Sequence, residues 1–279
     1  MCTSETETQP ALLAVDPVSW AITPLTVRNG AGATGICRLG DDVFVANQTA
    51  EPSVAVLDAR TLRARGEAHL GGARDVHSLA PWDGGIAVAS TGTDEVLWYR
   101  YDGGEFVDRT VLWAAGPSQT DTMHVNGVAS HGDRLVCCGF GPGFAEIDIW
   151  SQRQNGFLYD ITAGRYVLQS LARPHTVAFL GDELFLCESG IRTFRSAGRW
   201  IATLDGFTRG VAFLDHGRAV VATSRARVRS RSTGRLNLRD EREPPNTCAL
   251  HVVDLDGAVH ATVPLEEHGR EIYDLSRLS

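Results

Sequence analysis

The chain has 279 residues, a formal net charge of −8 at pH 7 and a sequence pI of about 5.6. An acidic surface repels phosphate backbones and anionic headgroups, so these values argue against nucleic acids and membranes as partners. The 26 side chains counted as Lys or Arg are all arginines, which excludes a mechanism that forms a Schiff base on lysine.

The N-terminal residues are acidic and polar, and we predict that residues 1–10 form a disordered tail. They lack the basic and apolar stretches of a signal peptide, and no apolar run in the chain is long enough to cross a membrane. These features predict a cytoplasmic protein. From residue 11 we expect a single domain, 11–279, which opens with two apolar strands at 11–16 and 20–25.

One phrase then recurs along the chain: a small or polar residue, an apolar strand, a turn of Gly and Asp, and a second apolar strand. Its copies span 34–47, 77–90, 126–139, 175–188 and 209–223, and a truncated copy spans 273–278. Between the copies lie pairs of apolar strands that are typical of outer hairpins. Repeats of this kind, built from short strands, are typical of a β-propeller.

The two ends of the chain indicate how the ring closes. The N-terminal hairpin lacks inner strands, and the segment 273–278 is an inner strand without outer ones. Because closure removes exposed sheet edges, we predict an all-β, six-bladed propeller with five complete blades plus one blade shared by the N- and C-termini. A five-bladed ring with irregular ends is the alternative. Residues 224–246 form a long Arg-rich loop, which we place on the pocket face.

Equivalent positions of a propeller's repeats converge on the central axis, so candidate functional residues fall into columns. The column at the start of each first strand contains Thr34, His77, Asn126, His175, Arg209 and Tyr273. Two residues earlier, the column contains Gly32, Asp75, His124, Arg173, Phe207 and Glu271, and the ends of the second strands add Asn47, Thr91, Glu188 and Arg225. Imidazoles, carboxylates and guanidinium groups in one cleft predict acid–base or metal chemistry.

Two forms of this site remain open at the level of sequence. In the first, His77, His124 and His175 hold a divalent metal, Zn²⁺ or another transition metal rather than Ca²⁺, since such ions accept neutral imidazole ligands. In the second there is no metal: His124 or His175 is a base, Arg209 binds a carboxylate, and Glu271 or Tyr273 donates a proton. The other candidates are Glu188 as an acid–base residue and Asn47, Thr91, Asn126 and Arg225 as substrate-binding residues. The structural alternative is that the histidines only bond to backbone groups or water.

Several phrases carry a family resemblance: His124-Val-Asn-Gly-Val, Arg173-Pro-His-Thr-Val, Gly206-Phe-Thr-Arg-Gly-Val-Ala-Phe213 and Glu271-Ile-Tyr-Asp274. From about His77 to the C-terminus the chain resembles an uncharacterised bacterial family of conserved hypothetical proteins. The resemblance implies a six-bladed propeller distantly like the strictosidine synthase and gluconolactonase superfamily, and it implies no settled activity. Gluconolactonase-type enzymes hold a cation mainly through oxygen ligands, whereas histidines stand at several axial positions here, so those ligands are not carried over.

The sequence therefore predicts an enzyme that transforms a small, polar or anionic substrate in the axial pocket. The reaction would be a hydrolysis, cyclisation, elimination or isomerisation, in bacterial specialised metabolism. No nucleotide or flavin is expected, because no glycine-rich loop opens a helix. The alternative is a non-catalytic propeller that binds a ligand or a protein partner.

Overall fold

The computed structural model describes residues 2–3, 12–25, 32–48, 51–116, 120–143, 154–225 and 247–278. Most of the predicted tail and nearly all of the Arg-rich loop therefore lie outside the described residues. Within these ranges the regular structure is β-strand, apart from two 3-10 turns, Thr91–Thr93 and Ser189–Ile191. This part of the chain contains no helix that is long and apolar enough to cross a membrane. The all-β fold predicted from the sequence is confirmed.

Three short strands come first: β1 (Cys2–Thr3), β2 (Leu12–Val15) and β3 (Ile22–Leu25). Five four-stranded antiparallel sheets follow, in which each strand pairs with the next along the chain. Blade 1 contains β4 (Ala33–Leu39), β5 (Asp42–Asn47), β6 (Ser53–Asp58) and β7 (Ala64–His69). Blade 2 contains β8 (Val76–Trp82), β9 (Gly85–Ser90), β10 (Glu95–Asp102) and β11 (Glu105–Ala114).

The remaining three blades repeat this arrangement. Blade 3 contains β12 (Val125–His131), β13 (Arg134–Gly139), β14 (Gly156–Asp160) and β15 (Arg165–Leu171). Blade 4 contains β16 (Pro174–Leu180), β17 (Glu183–Glu188), β18 (Thr193–Ser196) and β19 (Trp200–Thr203). Blade 5 contains β20 (Phe207–Leu214), β21 (Arg218–Ser224), β22 (Ala249–Asp254) and β23 (Val259–Pro264), and β24 (Glu271–Ile272) ends the series.

The prediction of a six-bladed ring is wrong. The described strands form five four-stranded blades and two separate two-stranded sheets, one of β2 with β3 and one of β1 with β24. The strands at the two ends of the chain have only two or four residues each, and they pair as two separate sheets rather than as one sheet of four strands. The β2–β3 hairpin instead packs as a wedge: Leu12 joins the apolar core of blade 1, and Leu13 joins that of blade 5.

The first strands of the blades lie side by side around the centre. In sequence order β4, β8, β12, β16 and β20 each neighbour the next one. The approach is close, because a Cβ atom on Gly35 would lie 2.8 Å from the Cα of Ser78 on the neighbouring first strand. Residues that are dozens of positions apart in the chain are therefore brought together at the axis.

Each of these first strands contains a β-bulge near its start. The pairing with the second strand skips one residue: Thr34, His77, Asn126, Thr176 or Gly210. A bulge bends the strand and redirects the side chains beside it. In blades 1 to 3 the skipped residue is the one in the predicted column, while in blades 4 and 5 it is the following residue. The column positions thus meet at the axis through a repeated backbone irregularity.

Candidate axial site

The side chains at the axis are presented by backbone in the left-handed region. Asp75, His124 and Arg173 come just before β8, β12 and β16, and their φ angles are +50°, +51° and +53°. Non-glycine residues in this region are strained and persist where the surrounding structure holds them. Three members of this sequence column therefore share one backbone conformation at equivalent places in their blades.

The loop that carries His124 is held by a buried carboxylate of the neighbouring blade. Asp94, only 2% exposed, accepts hydrogen bonds from the backbone amides of Thr122 (2.6 Å) and Met123 (2.8 Å), and from the Thr122 hydroxyl. A further, longer bond comes from the amide of Val125 at 3.4 Å. Asp94 therefore fixes the backbone on both sides of the imidazole.

The His124 ring is oriented by a second carboxylate. Its Nδ1 lies 3.0 Å and 3.1 Å from the two carboxylate oxygens of Asp121. Because an ionised carboxylate can only accept, Nδ1 carries the proton in this pair, and the lone pair of the neutral ring is on Nε2. The His124 side chain is 4% exposed and that of Asp121 is 23% exposed, so the carboxylate is the partner nearer to solvent.

The other two imidazoles have the same tautomer for related reasons. His77 donates from Nδ1 to the carbonyl oxygen of Asp75 at 2.8 Å. The Nδ1 of His175 lies 2.7 Å from the Ser189 hydroxyl, and that hydroxyl donates to the carbonyl of Thr208 at 2.6 Å. Since the hydroxyl has one proton, the imidazole is the donor between the two groups. All three rings therefore carry their lone pair on Nε2.

The rings and guanidinium groups make one continuous cluster. The ring centroids of His77 and His124 are 5.2 Å apart, and Tyr273 lies 6.4 Å from His77. Phe140 packs against His124 at 4.5 Å and against His175 at 5.0 Å. We call this set, together with the two arginines described next, the axial cluster: His77, His124, Phe140, Arg173, His175, Arg209 and Tyr273.

Two buried arginines give the axial cluster its positive charge. Arg173 is 2% exposed and Arg209 is 7% exposed. The guanidinium carbon of Arg209 lies 4.6 Å from the centroid of the Tyr273 ring, and that of Arg173 lies 5.7 Å from the Phe140 ring. Both distances are those of cation–π contacts. Aromatic faces thus lie against each cation at the centre of the propeller.

Burial lowers the pKa values of three basic groups in the axial cluster. Burial, helped by the Arg209 charge, lowers the pKa of Arg173 well below its usual range. Burial and the same Arg209 charge lower the pKa of His175, and burial lowers that of His77 despite the nearby Asp75 carboxylate. Both imidazoles are therefore neutral at pH 7.

The predicted metal site receives no geometric support from the cluster. In the described part of the chain, no three or more His, Cys, Asp or Glu side chains form a group that could hold a metal ion. His77 and His124 are brought together, but Phe140 packs against both His124 and His175. An apolar ring therefore lies beside two of the three proposed ligands, and the three-histidine metal centre stays a prediction.

Three of the other predicted site residues have partners elsewhere. Glu188 accepts from Arg195 Nη1 at 2.8 Å and from the amide of Ala172 at 3.0 Å, so both of its oxygens are used. The Thr91 hydroxyl donates to a carbonyl of the next blade at 2.6 Å, and Asn47 Nδ2 donates to Ser53 at 3.4 Å. We leave these three residues out of the axial cluster.

Three further candidates lie close to it along the chain. Asn126 is buried; its side-chain oxygen accepts from Cys138 at 3.5 Å, and its Nδ2 has no hydrogen-bond partner among the described residues. Glu271 is buried on β24, opposite Thr3, two residues before Tyr273. The amide of Arg225 donates to Arg270, and the predicted loop that follows it, from residue 226, lies outside the described residues.

The sequence columns missed residues that support the site without belonging to it. Asp121 lies three positions before His124, Ser189 follows a second strand, and Asp94 belongs to a different blade. The one available signal was the short spacing between Asp121 and His124. Phe140 follows β13 within the stretch Gly139-Phe-Gly-Pro-Gly143, which belongs to no column.

Comparisons with known proteins agree with the fold. The family described as "Domain of unknown function (DUF4915)" matches residues 113–279. No curated protein matches the sequence. A chain in a nidogen/laminin complex superposes with a TM-score of 0.67 at 13% identity, covering 95% of this chain and 94% of that one.

Two further solved structures are β-propellers. A luciferin-regenerating enzyme has a TM-score of 0.61 at 12% identity, covering 83% of this chain and 76% of its own. Regucalcin from Agrobacterium tumefaciens, described as a calcium-binding protein, has a TM-score of 0.58 at 13% identity, covering 82% and 73%. At such identities the likeness shows the propeller fold alone.

Proposed function

We propose that this chain, which belongs to the DUF4915 family, is an enzyme that binds an anionic small molecule at the axial cluster and moves a proton on it. One observation carries the proposal: an oriented Asp121–His124 pair lies in the same cluster as two buried arginines. The similarity to a luciferin-regenerating enzyme shows that this fold accommodates catalysis. We also propose that the protein is cytoplasmic and that it is distantly similar to the gluconolactonases.

The arginines are suited to bind the anionic group. Burial, and after it the nearby Arg209 charge, lowers the pKa of Arg173, so its cationic form is unfavourable where it lies. A carboxylate placed between the guanidinium groups would offset it, and hydrogen bonds to charged groups contribute about 1.5–3 kcal/mol each. The aromatic faces of Tyr273 and Phe140 keep the guanidinium groups of Arg209 and Arg173 at fixed positions.

His124 is the proposed general base. Its Nε2 carries the lone pair because Nδ1 donates to Asp121, and the carboxylate stabilises the imidazolium that forms once a proton is taken. His77, 5.2 Å away by ring centroids, is kept neutral by burial and adds no opposing charge. His175 lies farther along the cluster, next to Ser189, and we assign it a positioning role.

Tyr273 is the proposed proton donor. Its ring lies 4.6 Å from the Arg209 guanidinium carbon and 6.4 Å from the His77 ring, and His77 in turn lies 5.2 Å from His124. In the proposal, a substrate held by Arg209 extends past the phenol toward His124. This arrangement suits removal of a proton from the carbon next to a carboxylate, followed by its return elsewhere or by loss of a leaving group. Isomerisation and elimination are therefore favoured over hydrolysis.

The test reads proton abstraction directly. The purified protein is incubated in D₂O with a panel of small hydroxy, keto and unsaturated carboxylic acids, and NMR records the loss of C–H signals and new products. We expect exchange or conversion of at least one compound. His124→Gln should slow it by roughly 10²–10⁴-fold, the usual contribution of a general base. Arg209→Gln should mainly raise KM.

The matched control is His131→Gln, which removes an imidazole from the far end of β12, the strand that follows His124; there the ring stacks on Phe179 at 5.7 Å. It should leave the rate unchanged. If acids of the panel bind, seen as a rise in thermal midpoint, but none exchanges or reacts, the chain is the non-catalytic binder and the enzyme proposal fails. Equal losses in the His124 and His131 variants would also contradict it.

A further inference from the structure

We infer that the cavity beneath the β2–β3 hairpin is a second ligand site, which takes an aliphatic monocarboxylate with its carboxylate at Arg218 and its hydrocarbon chain inside. This inference is independent of the function proposed for the axial cluster. The cavity has a volume of about 460 Å³, which falls in the usual range for small-molecule sites. It lies where the hairpin wedges between blades 1 and 5.

The interior of the cavity is aliphatic. Its walls come from the hairpin, from blade 1 and from blade 5, and they include Leu12, Leu13, Val43, Leu57, Val220 and Leu250. Because moving each methylene group from water into such surroundings is favourable, the interior suits a hydrocarbon chain. Asp274, which also lines the cavity, accepts from two backbone amides and takes no part in the proposed contact.

The cavity opens to solvent between two turns. On one side is the turn of the hairpin, where Val18 lines the cavity and is 87% exposed. On the other side is the turn between β20 and β21, where Asp215 and His216 line the cavity and are exposed. Arg218 follows this second turn as the first residue of β21 and is half-buried. It therefore lies at the boundary between the aliphatic interior and the mouth.

The guanidinium of Arg218 has no anionic partner. Within the described residues, its side chain forms neither an ion pair nor a hydrogen bond. In blade 3, Arg134 also begins the second strand, and it binds Asp160, at the end of the third strand, at 3.2 Å. In blade 5 the aspartate that ends the third strand, Asp254, pairs with His260 instead. Arg218 is thus available to an anion from outside the chain.

The acidic groups at the mouth are occupied by contacts of their own. Asp215 is bound by Arg277 through contacts of 2.9 Å and 3.4 Å, so its charge is offset. Asp16, in the turn of the hairpin, accepts from two amides of that turn. A guanidinium group can bind both oxygens of one carboxylate, whereas a cationic head would be repelled by Arg218. The mouth therefore favours a carboxylate over an ammonium group.

Isothermal titration calorimetry with sodium decanoate at pH 8 tests the inference on the full chain. We expect saturable binding of one molecule, and octanoate should bind more weakly by about fourfold for each methylene removed. Arg218→Gln should weaken decanoate binding about tenfold or more, the usual contribution of a hydrogen-bonded charge, and leave decanol binding unchanged. Decyltrimethylammonium, which has the same chain and a positive head, should bind more weakly than decanol.

Three further variants separate this site from general attraction of anions to arginines. Arg165→Gln removes the same charge from an exposed position on blade 3 and should not change the affinity. Val18→Asp should weaken decanoate binding and Val18→Arg should strengthen it; because Val18 is 87% exposed, both variants should fold, which circular dichroism checks. The inference is overturned if decanoate does not saturate, if Arg218→Gln and Arg165→Gln weaken it equally, or if decyltrimethylammonium binds as tightly as decanoate.

Discussion

Replacing Asp274 by asparagine should change how the stability of the protein depends on pH. Burial raises the pKa of this carboxyl from an ordinary 3.8 to about 7. The folded state therefore keeps the proton at pH values where the unfolded state has lost it. Asparagine has a similar shape and does not titrate, so the variant isolates the contribution of this one group.

The sign and size follow from that shift. Between pH 3.8 and about 7 the folded state binds more protons than the unfolded state, so stability falls as pH rises. The slope is about 1.4 kcal/mol per pH unit, and the whole span gives a loss of about 4 kcal/mol. Asparagine avoids this loss, but its NH₂ group cannot accept one of the two backbone bonds, which costs about 1 kcal/mol at every pH.

The two curves should therefore cross. At pH 4 we expect Asp274→Asn to be less stable than the parent by about 1 kcal/mol, and at pH 8 more stable by about 3 kcal/mol. Urea unfolding at four pH values between 4 and 8 measures both free energies. Titration of every other group is common to the two proteins and cancels in the difference.

Asp215→Asn is the control for this experiment. The ion pair with Arg277 lowers the pKa of Asp215, so its titration lies below 3.8 and its effect on stability should be constant from pH 5 to 8. If the difference between Asp274→Asn and the parent is also constant over that range, the carboxyl is not held protonated. The reasoning from burial would then be refuted.

Three other changes test the support of the axial cluster and the packing of the ring. Asp121→Asn should slow the proton transfer measured by NMR about as strongly as His124→Gln, roughly 10²-fold or more, because both remove the oriented base. Asp94→Asn should speed hydrogen exchange of the amides after residue 121 and lower the free energy of unfolding by about 2 kcal/mol. Gly210→Ala should destabilise more than Gly217→Ala in urea. Both have φ near +65° to +69°, but only the Cβ at Gly210 would meet backbone, at 3.1 Å from Asp274.

The repeating part of the fold was predictable because the same physical pattern recurs. The phrase at 34–47 becomes β4 and β5, with the Gly–Asp turn at the join. The third strand ends in an aspartate in four of the five blades. In blade 1 this residue, Asp58, accepts from the amides of Arg60 and Thr61 at 3.0 Å and 2.8 Å. Such local bonds are predictable from the sequence, because the aspartate and the amides that donate to it are two or three residues apart.

Ring closure was not predictable in the same way. Cys2–Thr3, inside the segment predicted as a tail, pair with β24, and the β2–β3 hairpin stays a separate sheet. The alternation of apolar and polar residues in a four-residue strand does not indicate which strand it pairs with, because pairing between chain ends depends on packing across the whole ring. The predicted number of blades was therefore wrong because of the two chain ends, where the sequence repeat stops.

The bulges coincide with the predicted column in blades 1 to 3 and lie one residue later in blades 4 and 5. Skipping Thr176 and Gly210, rather than His175 and Arg209, shifts the bulge in blades 4 and 5 by one residue. A bulge adds a residue without any change in composition, so the shift leaves no trace in the sequence. The Asp121–His124 pair escaped the alignment because Asp121 belongs to a loop, where neighbouring blades have no equivalent residue.

The segment that follows β24 joins the axial cluster to blade 1. Tyr273 contacts Arg209 and His77 in the axial cluster, while Asp274, the next residue, accepts from the amide of Ile36 on β4. Both residues are buried, with 8% and 9% of their surface exposed. The last residues of the chain therefore close the ring through buried contacts on both sides, and a change at either residue should be felt at the axis and in blade 1 alike.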